Sequence, residues 1–348
     1  MDALLTPDGL RERAARLPRV SLATLPTPLQ DCPRLAEALG GQVRLLMKRD
    51  DLTGIGAGGN KVRKLEFSLG EALATGCDCV VHGLAGQSNY CRQTAAAAAK
   101  SGLPCHLVLR RDHKAGDPAQ ANRLLDYVFG AEVHMVEPAE QEQAKADLVE
   151  RLRADGHAPY LIGYHDEVLG AIGYSLCLAE VLEQQGAFGV QADCVCVVTG
   201  GAGTLAGLVL GRWLLGFEAT VIGFGVIPGA GGDPLHRKVD GIVREAAGLL
   251  GVDTSPAAGG FETTTDYAGE AYGVPTPGCL DAMFLLGRTE GLLAGPVYTA
   301  KGLAGLIDYV RSGRVEPGAA AVFVHTGGGP ETYAYNAEIM AHTAAPRG

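Results

Sequence analysis

The chain has 348 residues, of which 47% are hydrophobic and 20% charged, with a formal net charge of −10 at pH 7. These values are typical of an ordered globular protein with one large domain or two modest ones, and they argue against extensive disorder. The acidic balance argues against nucleic acid or an anionic membrane as the main partner, because either would favour a basic face.

Nine cysteines are present, an odd number, and no pair has the C-x-x-C spacing of a metal site. The pairs Cys77/Cys79 and Cys194/Cys196 lie in apolar, strand-like runs that would place both members on one face. We therefore expect buried, reduced thiols and no metal site. The chain start lacks an apolar signal core, and no apolar run is long enough to span a bilayer, so we expect a cytoplasmic protein.

The first half of the chain alternates apolar strand patterns with helical patterns, separated by turns that contain glycine. Helical periodicity predicts helices over residues 9–17, 33–39, 64–74, 89–101, 119–129, 139–154 and 168–184. Apolar runs predict strands over residues 43–47, 79–84, 105–109, 132–136 and 160–162.

The second half resumes the same alternation. It predicts strands over residues 194–198, 221–226 and 320–325, and helices over residues 204–215, 235–250, 279–287 and 300–312. Residues 251–276 are expected to form an irregular connection with short strands. Buried strands alternating with helices predict an α/β protein with two open, twisted, mainly parallel sheets flanked by helices and a ligand cleft between them.

A turn rich in glycine, Gly58-Gly59-Asn60, places Lys61 at the start of a helix. A cation is disfavoured at the positive end of the helix dipole, and partial burial there would lower the pKa of Lys61 in the direction that a nucleophilic amine needs. A surface helix with a basic first turn is the alternative, and this stretch alone does not decide between the two.

Ligands bind at the carboxyl ends of parallel strands, so the turns that follow the apolar runs are informative. Gln87, Ser88 and Asn89 offer hydrogen-bond donors just before a helix, where a carboxylate would fit; simple capping of the helix is the alternative. Tyr272 and Tyr298 are candidate proton donors, although most tyrosines are packing residues.

A second turn rich in small residues lies between a very apolar strand and a helix. It consists of Thr199, Gly200, Gly201, Ala202, Gly203 and Thr204. Backbone amides in such a turn can approach a phosphate, and the turn lacks the features of a P-loop or of a dinucleotide fingerprint. The pattern favours a monophosphate, with a tight turn selected for packing as the alternative. Together with a nucleophilic lysine and a carboxylate site, it suggests pyridoxal 5'-phosphate.

The ordered motifs resemble those of the D-cysteine desulfhydrase / 1-aminocyclopropane-1-carboxylate deaminase family, a group of fold-type-II pyridoxal-phosphate enzymes. They are the segments 48–53, 58–66, 87–89 with 92–96, 296–298 with 301–302, and 325–328. The resemblance covers nearly the whole chain. It implies a large cofactor-binding domain of residues 1–64 plus 173–348, a small α/β domain of residues 65–172, and the cofactor in the cleft between them.

The resemblance also implies roles for individual residues. Lys61 would be the Schiff-base lysine, Asn60 and Asn89 would contact the cofactor, and Thr326 would face its pyridine nitrogen. The phosphate would be held by Lys64 and by the turn from Thr199 to Thr204. Ser88 would bind the substrate carboxylate and move a proton, assisted by Gln87 and Asn89, while Tyr272 and Tyr298 match the two active-site tyrosines. A small amino-acid substrate and a homodimer are implied as well.

Two positions bear on the reaction. The deaminases in this family resemble one another in carrying Glu and Leu where this chain has Thr299 and Thr326. A hydroxyl at the ring nitrogen need not keep it protonated, which suits α,β-elimination. The resemblance therefore favours a D-cysteine desulfhydrase-like lyase that forms pyruvate and ammonia. Cyclopropane-amino-acid deamination, L-cysteate sulfo-lysis, amino-acid racemisation and a non-catalytic small-molecule sensor remain as alternatives.

Three stretches depart from the family pattern, and two of them, residues 163–167 and 110–114, bear on the substrate. Tyr164 and His165 stand in a turn where relatives resemble one another in having small residues that face the substrate. Arg110 and Arg111 follow a strand in a stretch that is usually less basic. If these stretches line the cleft, they would select a bulkier or more anionic substrate, such as a sulfonated amino acid; surface loops are the alternative.

Overall fold

The structure is a computed structural model that describes residues 4–112, 114, 116, 118–252 and 259–344. The described residues form two β-sheets flanked by helices. The helices are α1 (Pro7–Ala14), α2 (Pro33–Ala38), α3 (Lys61–Ala74), α4 (Asn89–Ser101), α5 (Ala121–Val128), α6 (Gln141–Ala154), α7 (Tyr164–Gln185), α8 (Gly203–Leu214), α9 (Asp233–Leu249), α10 (Pro277–Glu290), α11 (Thr299–Arg311) and α12 (Asn336–Ala344). The strands are β1 (Leu29–Asp31), β2 (Arg44–Lys48), β3 (Cys79–His82), β4 (Cys105–Arg110), β5 (Glu132–Val136), β6 (Pro159–Leu161), β7 (Cys194–Thr199), β8 (Thr220–Gly225), β9 (Phe261–Thr264) and β10 (Ala320–Val324).

The larger sheet has six strands in the order β1-β2-β10-β7-β8-β9. Only the edge pair β1–β2 is antiparallel, and the other neighbours are parallel. The chain leaves β7 for β8 on one side, whereas β10 lies on the other side. The turn after β7 therefore lies at a topological switch point, where open α/β sheets bind ligands.

The smaller sheet has four parallel strands in the order β5-β4-β3-β6. The prediction of an α/β protein with two mainly parallel sheets flanked by helices is confirmed. The turns after β3, β7 and β10 all contribute residues to one cavity, so the carboxyl ends of strands from both sheets meet there.

Apolar residues cover both faces of the larger sheet. Along β7, Val195 and Val197 pack towards helices α7 and α8, whereas Cys194 and Cys196 pack towards α10 and α11. The expectation that these two cysteines share a face is thus confirmed. All nine cysteines are free thiols, and eight of them are buried. Among the described residues, no helix is both long and apolar enough to cross a membrane.

Several predicted element bounds were wrong, for local reasons. Helix α7 begins at Tyr164, four residues before the predicted start, because the Asp166 carboxylate accepts a hydrogen bond of 2.7 Å from the Gly163 amide. Helix α1 begins at Pro7, where Thr6 accepts from the Gly9 amide at 3.1 Å. The short edge strand β1 and helix α12 were not predicted.

Glycines allow helices α3, α7 and α8 to pack closely. A Cβ atom at Gly170 would lie 2.7 Å from Lys64 Cε, and one at Gly173 would lie 2.6 Å from the Arg63 carbonyl oxygen. A Cβ at Gly207 of α8 would lie 2.3 Å from the Tyr174 Cβ. These contacts are too short for any other residue, so the glycines set how closely α3 packs on α7 and how closely α7 packs on α8.

Candidate active site

A cavity of about 370 Å³ lies where the strand ends of the two sheets meet. Most of the residues that the sequence singled out line it. They are Asn60, Lys61, Ser88, Asn89, Thr199, Gly200, Gly201, Ala202, Gly203, Thr204, Tyr272, Tyr298 and Thr326. Turns that are far apart in the sequence thus supply one site.

Lys61 is held at the first position of α3 by the turn before it. Gly58 and Gly59 have φ values of +68° and +126°, and a Cβ at Gly58 would lie 1.8 Å from the Asp51 carbonyl oxygen. The Asn60 side-chain amide donates to Thr204 Oγ1 at 3.0 Å, and its backbone amide donates to the Thr326 carbonyl at 3.1 Å. The lysine turn is therefore tied to the turns that follow β7 and β10.

The amine of Lys61 lies in a positive and poorly solvated environment. Desolvation, together with the neighbouring Lys64 ammonium, lowers the pKa of Lys61 from 10.5 to about 8, while Glu167 opposes the shift. The Lys61 Nζ also lies 5.8 Å from the centre of the Tyr90 ring. A substantial fraction of this amine is neutral near physiological pH, as a nucleophile requires.

The turn from Thr199 to Gly203 forms a concave site, here called the anion cup, at the start of α8. Ala202 has a φ of +87°, a strained conformation for a residue with a side chain. A Cβ at Gly200 would lie 3.2 Å from Tyr298 Cε1. The Thr199 hydroxyl is buried and has no hydrogen-bond partner within the described part of the chain. Backbone amides and an unsatisfied hydroxyl are features of an oxyanion site.

A carboxylate from the chain itself lies in the anion cup. The Gly203 amide donates to Glu167 Oε2 at 2.9 Å, and the Lys64 ammonium lies 2.8 Å from the same oxygen. Burial alone would raise the pKa of Glu167, but Lys64 and Lys61 hold it below its usual range, so the group is ionised. Lys64 therefore reaches the cup through Glu167 and does not itself line the cavity.

Ser88 caps helix α4 and also faces the cavity. Its oxygen accepts from the amides of Tyr90 and Cys91, both at 3.1 Å, which leaves the hydroxyl proton free for a ligand. The capping role and the ligand-binding role of Ser88 are thus compatible. Asn89 accepts at Oδ1 from the side-chain amide of Asn122 at 2.9 Å and donates through Nδ2 to Glu331.

Glu331 is a buried carboxyl group behind Asn89, and the sequence analysis did not select it. Burial raises the pKa of Glu331 to about 7, although Asn89, the Val297 amide and Arg92 favour its charged form. The protonation of this group therefore changes near neutral pH, immediately behind a residue that lines the cavity.

Two tyrosines form a hydrogen-bonded pair on the cavity wall. The hydroxyl oxygens of Tyr272 and Tyr298 are 2.6 Å apart, and the ring centres are 5.9 Å apart. Burial raises the pKa of both phenols, so both keep their protons at neutral pH. The pair can donate one hydrogen bond to a ligand and pass a proton between its two oxygens.

Thr326 lies at the end of β10 with its hydroxyl 2.9 Å from that of Thr299. Thr299 donates its one hydroxyl proton to the Gly327 carbonyl at 2.8 Å, so it accepts from Thr326, and it is fully buried. The position therefore presents a hydroxyl to the cavity and no carboxylate.

The structure places three other selected residues away from the cavity. Gln87 accepts from the backbone amide of Asn122 at 3.0 Å and donates to the backbone carbonyls of Lys114 and Gln120. Tyr164 donates to Glu245 at 2.8 Å, and His165 lies 3.0 Å from Glu71.

Other members of the two departing stretches reach the cavity instead. Glu167, from the same segment as Tyr164 and His165, lines it, as does Arg110, which lies 3.3 Å from Asp112. Arg111 is half-exposed and 3.9 Å from Glu137, outside the cavity. The first departure thus contributes an acidic group to the site, and the second a basic one.

Comparison with known proteins assigns the class. A model of the family described as pyridoxal-phosphate dependent enzyme matches residues 20–327. The chain belongs to this family. It is also 38% identical over 336 residues to a D-cysteine desulfhydrase of Serratia proteamaculans, covering 95% of this chain and 100% of that protein. A D-cysteine desulfhydrase of Klebsiella pneumoniae is 38% identical over 94% of this chain and 99% of its own length.

Solved structures agree with the fold. The structure of an ACC deaminase homologue has a TM-score of 0.86 and 34% identity, and the match covers 96% of this chain and 99% of that one. A threonine deaminase of T.th. has a TM-score of 0.66 at 22% identity, covering 93% and 98% of the two chains. The more distant structure supports the fold-type-II architecture alone.

The cavity fits pyridoxal phosphate. Bound cofactor supplies an aldehyde that combines with an amine and a ring that accepts electrons. Lys61 offers an amine of lowered pKa, and the anion cup already binds an oxyanion in the form of the Glu167 carboxylate. The Thr199 hydroxyl gives a further donor.

Proposed function

We propose that the protein is a pyridoxal-phosphate-dependent lyase that removes a β-leaving group from a small amino acid. Its substrate is D-cysteine or a close analogue, and its products are pyruvate, ammonia and the leaving group. The proposal is supported by the extended similarity to proteins named D-cysteine desulfhydrase over at least 94% of this chain.

One structural observation carries the proposal. A lysine with a pKa of about 8, the anion cup, the Ser88 hydroxyl and the Tyr272–Tyr298 pair line a single cavity. Lys61 binds the cofactor and moves the α-proton, and the anion cup holds the phosphate. Ser88 binds the substrate carboxylate through its free hydroxyl proton. The tyrosine pair donates a hydrogen bond to the leaving group or to the substrate amine.

The hydroxyl of Thr326 supports elimination over reactions that need a strong electron sink. A carboxylate beside the ring nitrogen would keep that nitrogen protonated, whereas the Thr326 hydroxyl, 2.9 Å from Thr299, adds no charge there. Elimination discharges the electron pair quickly through departure of the β-substituent, so a weaker sink is sufficient.

A panel of D- and L-amino acids tests the proposal. The purified protein with pyridoxal phosphate is incubated with cysteine, β-chloroalanine, serine, cysteate and 1-aminocyclopropane-1-carboxylate, and the keto acid and leaving group are measured separately. We expect pyruvate and sulfide from D-cysteine. Formation of 2-oxobutyrate from the cyclopropane substrate, with no product from cysteine, would assign deamination instead. Inversion without keto acid would assign racemisation.

A second candidate substrate is an anionic amino acid such as L-cysteate. The observation that favours it is Arg110, which lines the cavity together with Tyr272. Among the described residues its guanidinium pairs with Asp112 at 3.3 Å through Nε, and the other guanidinium nitrogens are donors suited to a sulfonate. Sulfite release from cysteate that falls at least about tenfold in Arg110→Gln, with D-cysteine turnover unchanged, would support this second candidate.

We propose a cytoplasmic homodimer, to be tested by light scattering of the purified protein and by fractionation of cells. A monomer that retains full activity would contradict the dimer. A small-molecule sensor on this fold is the non-enzymatic alternative, and ligand binding without turnover across the whole panel would favour it.

A further inference from the structure

Glu167 is a charged side chain in the part of the cavity that the proposed function gives to the cofactor phosphate. Its Oε2 accepts from the Gly203 amide at 2.9 Å and lies 2.8 Å from the Lys64 ammonium. A Cβ built at Gly201 would lie 3.0 Å from Glu167 Oε1, and one at Gly203 would lie 2.2 Å from Oε2. The carboxylate therefore lies directly against the glycine turn.

The two anions need the same donors. A phosphate at this turn would take the free amide at the start of α8 and the nearby ammonium of Lys64, which are the partners that Glu167 uses. A carboxylate and a phosphate cannot share these donors at contact distance, because like charges so close together in a partly buried site repel strongly.

The carboxylate is also charged when the cavity would receive the cofactor. Desolvation opposes ionisation, but the ammonium groups of Lys64 and Lys61 keep the pKa of Glu167 below its usual range. Glu167 is 19% exposed in its side chain, on the wall of the cavity, so it has space to turn away when a stronger anion arrives.

We propose that Glu167 is an internal competitor for the anion cup, which the cofactor phosphate must displace in order to bind. The inference rests on the proposed function of the cup. Displacement would be reversible, because the carboxylate can pair again with the Lys64 ammonium and accept again from the Gly203 amide when the phosphate leaves.

Removing the charge of Glu167 tests this inference, because the measured quantity is the affinity for the cofactor and not the rate of turnover. Cofactor-free protein is titrated with pyridoxal phosphate and, separately, with pyridoxal, which lacks the phosphate, and the visible absorbance of the lysine adduct is followed. Glu167→Gln is compared with wild type. We expect the Kd for pyridoxal phosphate to fall about tenfold or more, while the Kd for pyridoxal changes much less.

The ratio of the two affinities isolates the competition. Glu167 also raises the pKa of Lys61, so its removal alters the amine, but that effect acts equally on pyridoxal and pyridoxal phosphate. Glu245→Gln is the matched control, because it removes a carboxylate that contacts Tyr164 in the same segment but lies outside the cavity. We expect the control to leave the ratio unchanged.

Calorimetry with inorganic phosphate gives a measurement that does not depend on Lys61 chemistry. Cofactor-free Glu167→Gln should bind phosphate about tenfold more tightly than wild type. Glu167→Asp, which withdraws the carboxylate by one methylene and keeps its charge, should give an intermediate value and provides a second variant if the amide impairs folding.

The inference would be overturned if Glu167→Gln and Glu167→Asp both kept the wild-type ratio of the Kd for pyridoxal to the Kd for pyridoxal phosphate and also bound inorganic phosphate as wild type does. Failure of the proposed function has a different signature, namely no adduct on Lys61 in any variant. In that case tighter phosphate binding by Glu167→Gln would still support the competition for the cup.

Discussion

Three charged side chains of helix α3 belong to two separate groups, one buried in the protein and one at the cavity. Arg63 faces Asp50 and Glu180, whereas Lys61 lines the cavity and Lys64 pairs with Glu167 at the cavity wall. The Arg63 guanidinium makes hydrogen bonds of 2.7–2.8 Å to both of its carboxylates.

The first group is electrically complete. Lys48 lies 2.6 Å from Glu180, so two cations face two carboxylates. Burial alone would raise the pKa of Asp50, but Arg63 lowers it to about 2, and the charge does not change at physiological pH. Such a group fixes the position of α3, and within the described residues its two cations are paired with carboxylates of the chain itself.

The second group is incomplete. Two lysines share one carboxylate, Glu167, and the pKa of Lys61 falls to about 8 as a result of desolvation and of Lys64. The same helix thus holds charges that are locked by pairing and charges that are left short of partners. Only the second kind can react or exchange its partner for a ligand, and this difference separates the structural face of α3 from its functional face.

The largest expected effect comes from removing the amine of Lys61. Lys61→Ala should lose the visible absorbance of the cofactor adduct and at least about 10³-fold in kcat, because no other lysine lines the cavity within the described residues. Borohydride reduction followed by peptide mapping should place the pyridoxyl group on Lys61 in wild type. Lys64→Gln serves as the control and should keep that adduct. A pyridoxyl group on a different lysine would contradict the assignment.

Removing Arg63 from the charge-balanced group should lower the stability of the fold more than it lowers activity. Arg63→Met leaves Asp50 and Glu180 buried with Lys48 as their remaining cation, and we expect a loss of about 3–5 kcal/mol in the free energy of unfolding. Denaturant unfolding measures this value. Arg11→Met, at an exposed pair with Glu183, is the matched control and should cost less than about 1 kcal/mol. Equal losses in the two variants would refute the distinction between the groups.

Removing a hydroxyl from the tyrosine pair should lower the rate of turnover and leave cofactor affinity nearly unchanged. Tyr298→Phe removes a proton donor from a buried pair whose oxygens are 2.6 Å apart, and we expect kcat to fall about 10²-fold with little change in cofactor affinity. Tyr335→Phe is a suitable comparison, because its hydroxyl donates to the Gly273 carbonyl outside the main cavity. Comparable losses in both variants would indicate a packing role for Tyr298.

The parts of the site that could be predicted from sequence are those built by local turn chemistry. Gly58, Gly59 and the turn from Thr199 to Thr204 are visible because a strand end, glycines and a helix start follow in order, and this order places Lys61 and the anion cup. The carboxyl ends of parallel strands then bring such turns together. The alternation of strands and helices predicted the two sheets for the same reason.

The missed residues depend on orientations that no local pattern encodes. Residues 163–167 were identified as a departure from the family, but helix α7 starts at Tyr164, and this start directs Glu167, not Tyr164 or His165, into the cavity. Glu331 is selected only by its contact with Asn89, which is 242 positions away. Long-range contacts of this kind have no signal in a single sequence.

The smallest expected effect is a shift in the pH at which the amine of Lys61 becomes reactive. The size of this shift measures how far the charges of Lys61 and Lys64 exceed the compensation that Glu167 provides. Attachment of pyridoxal to cofactor-free protein requires the neutral amine, so its rate should rise about tenfold per pH unit and level off above about 8, the pKa of Lys61.

Lys64→Gln removes the cation that lowers this pKa, so the midpoint should move to higher pH. Glu167→Gln removes the group that raises it, so the midpoint should move to lower pH. Stopped-flow absorbance gives the rates, and pyridoxal avoids any influence of the anion cup on phosphate binding. A midpoint near about 10, the usual range for lysine, would mean that Lys61 is as well compensated as Arg63, and the contrast between the two faces of α3 would disappear.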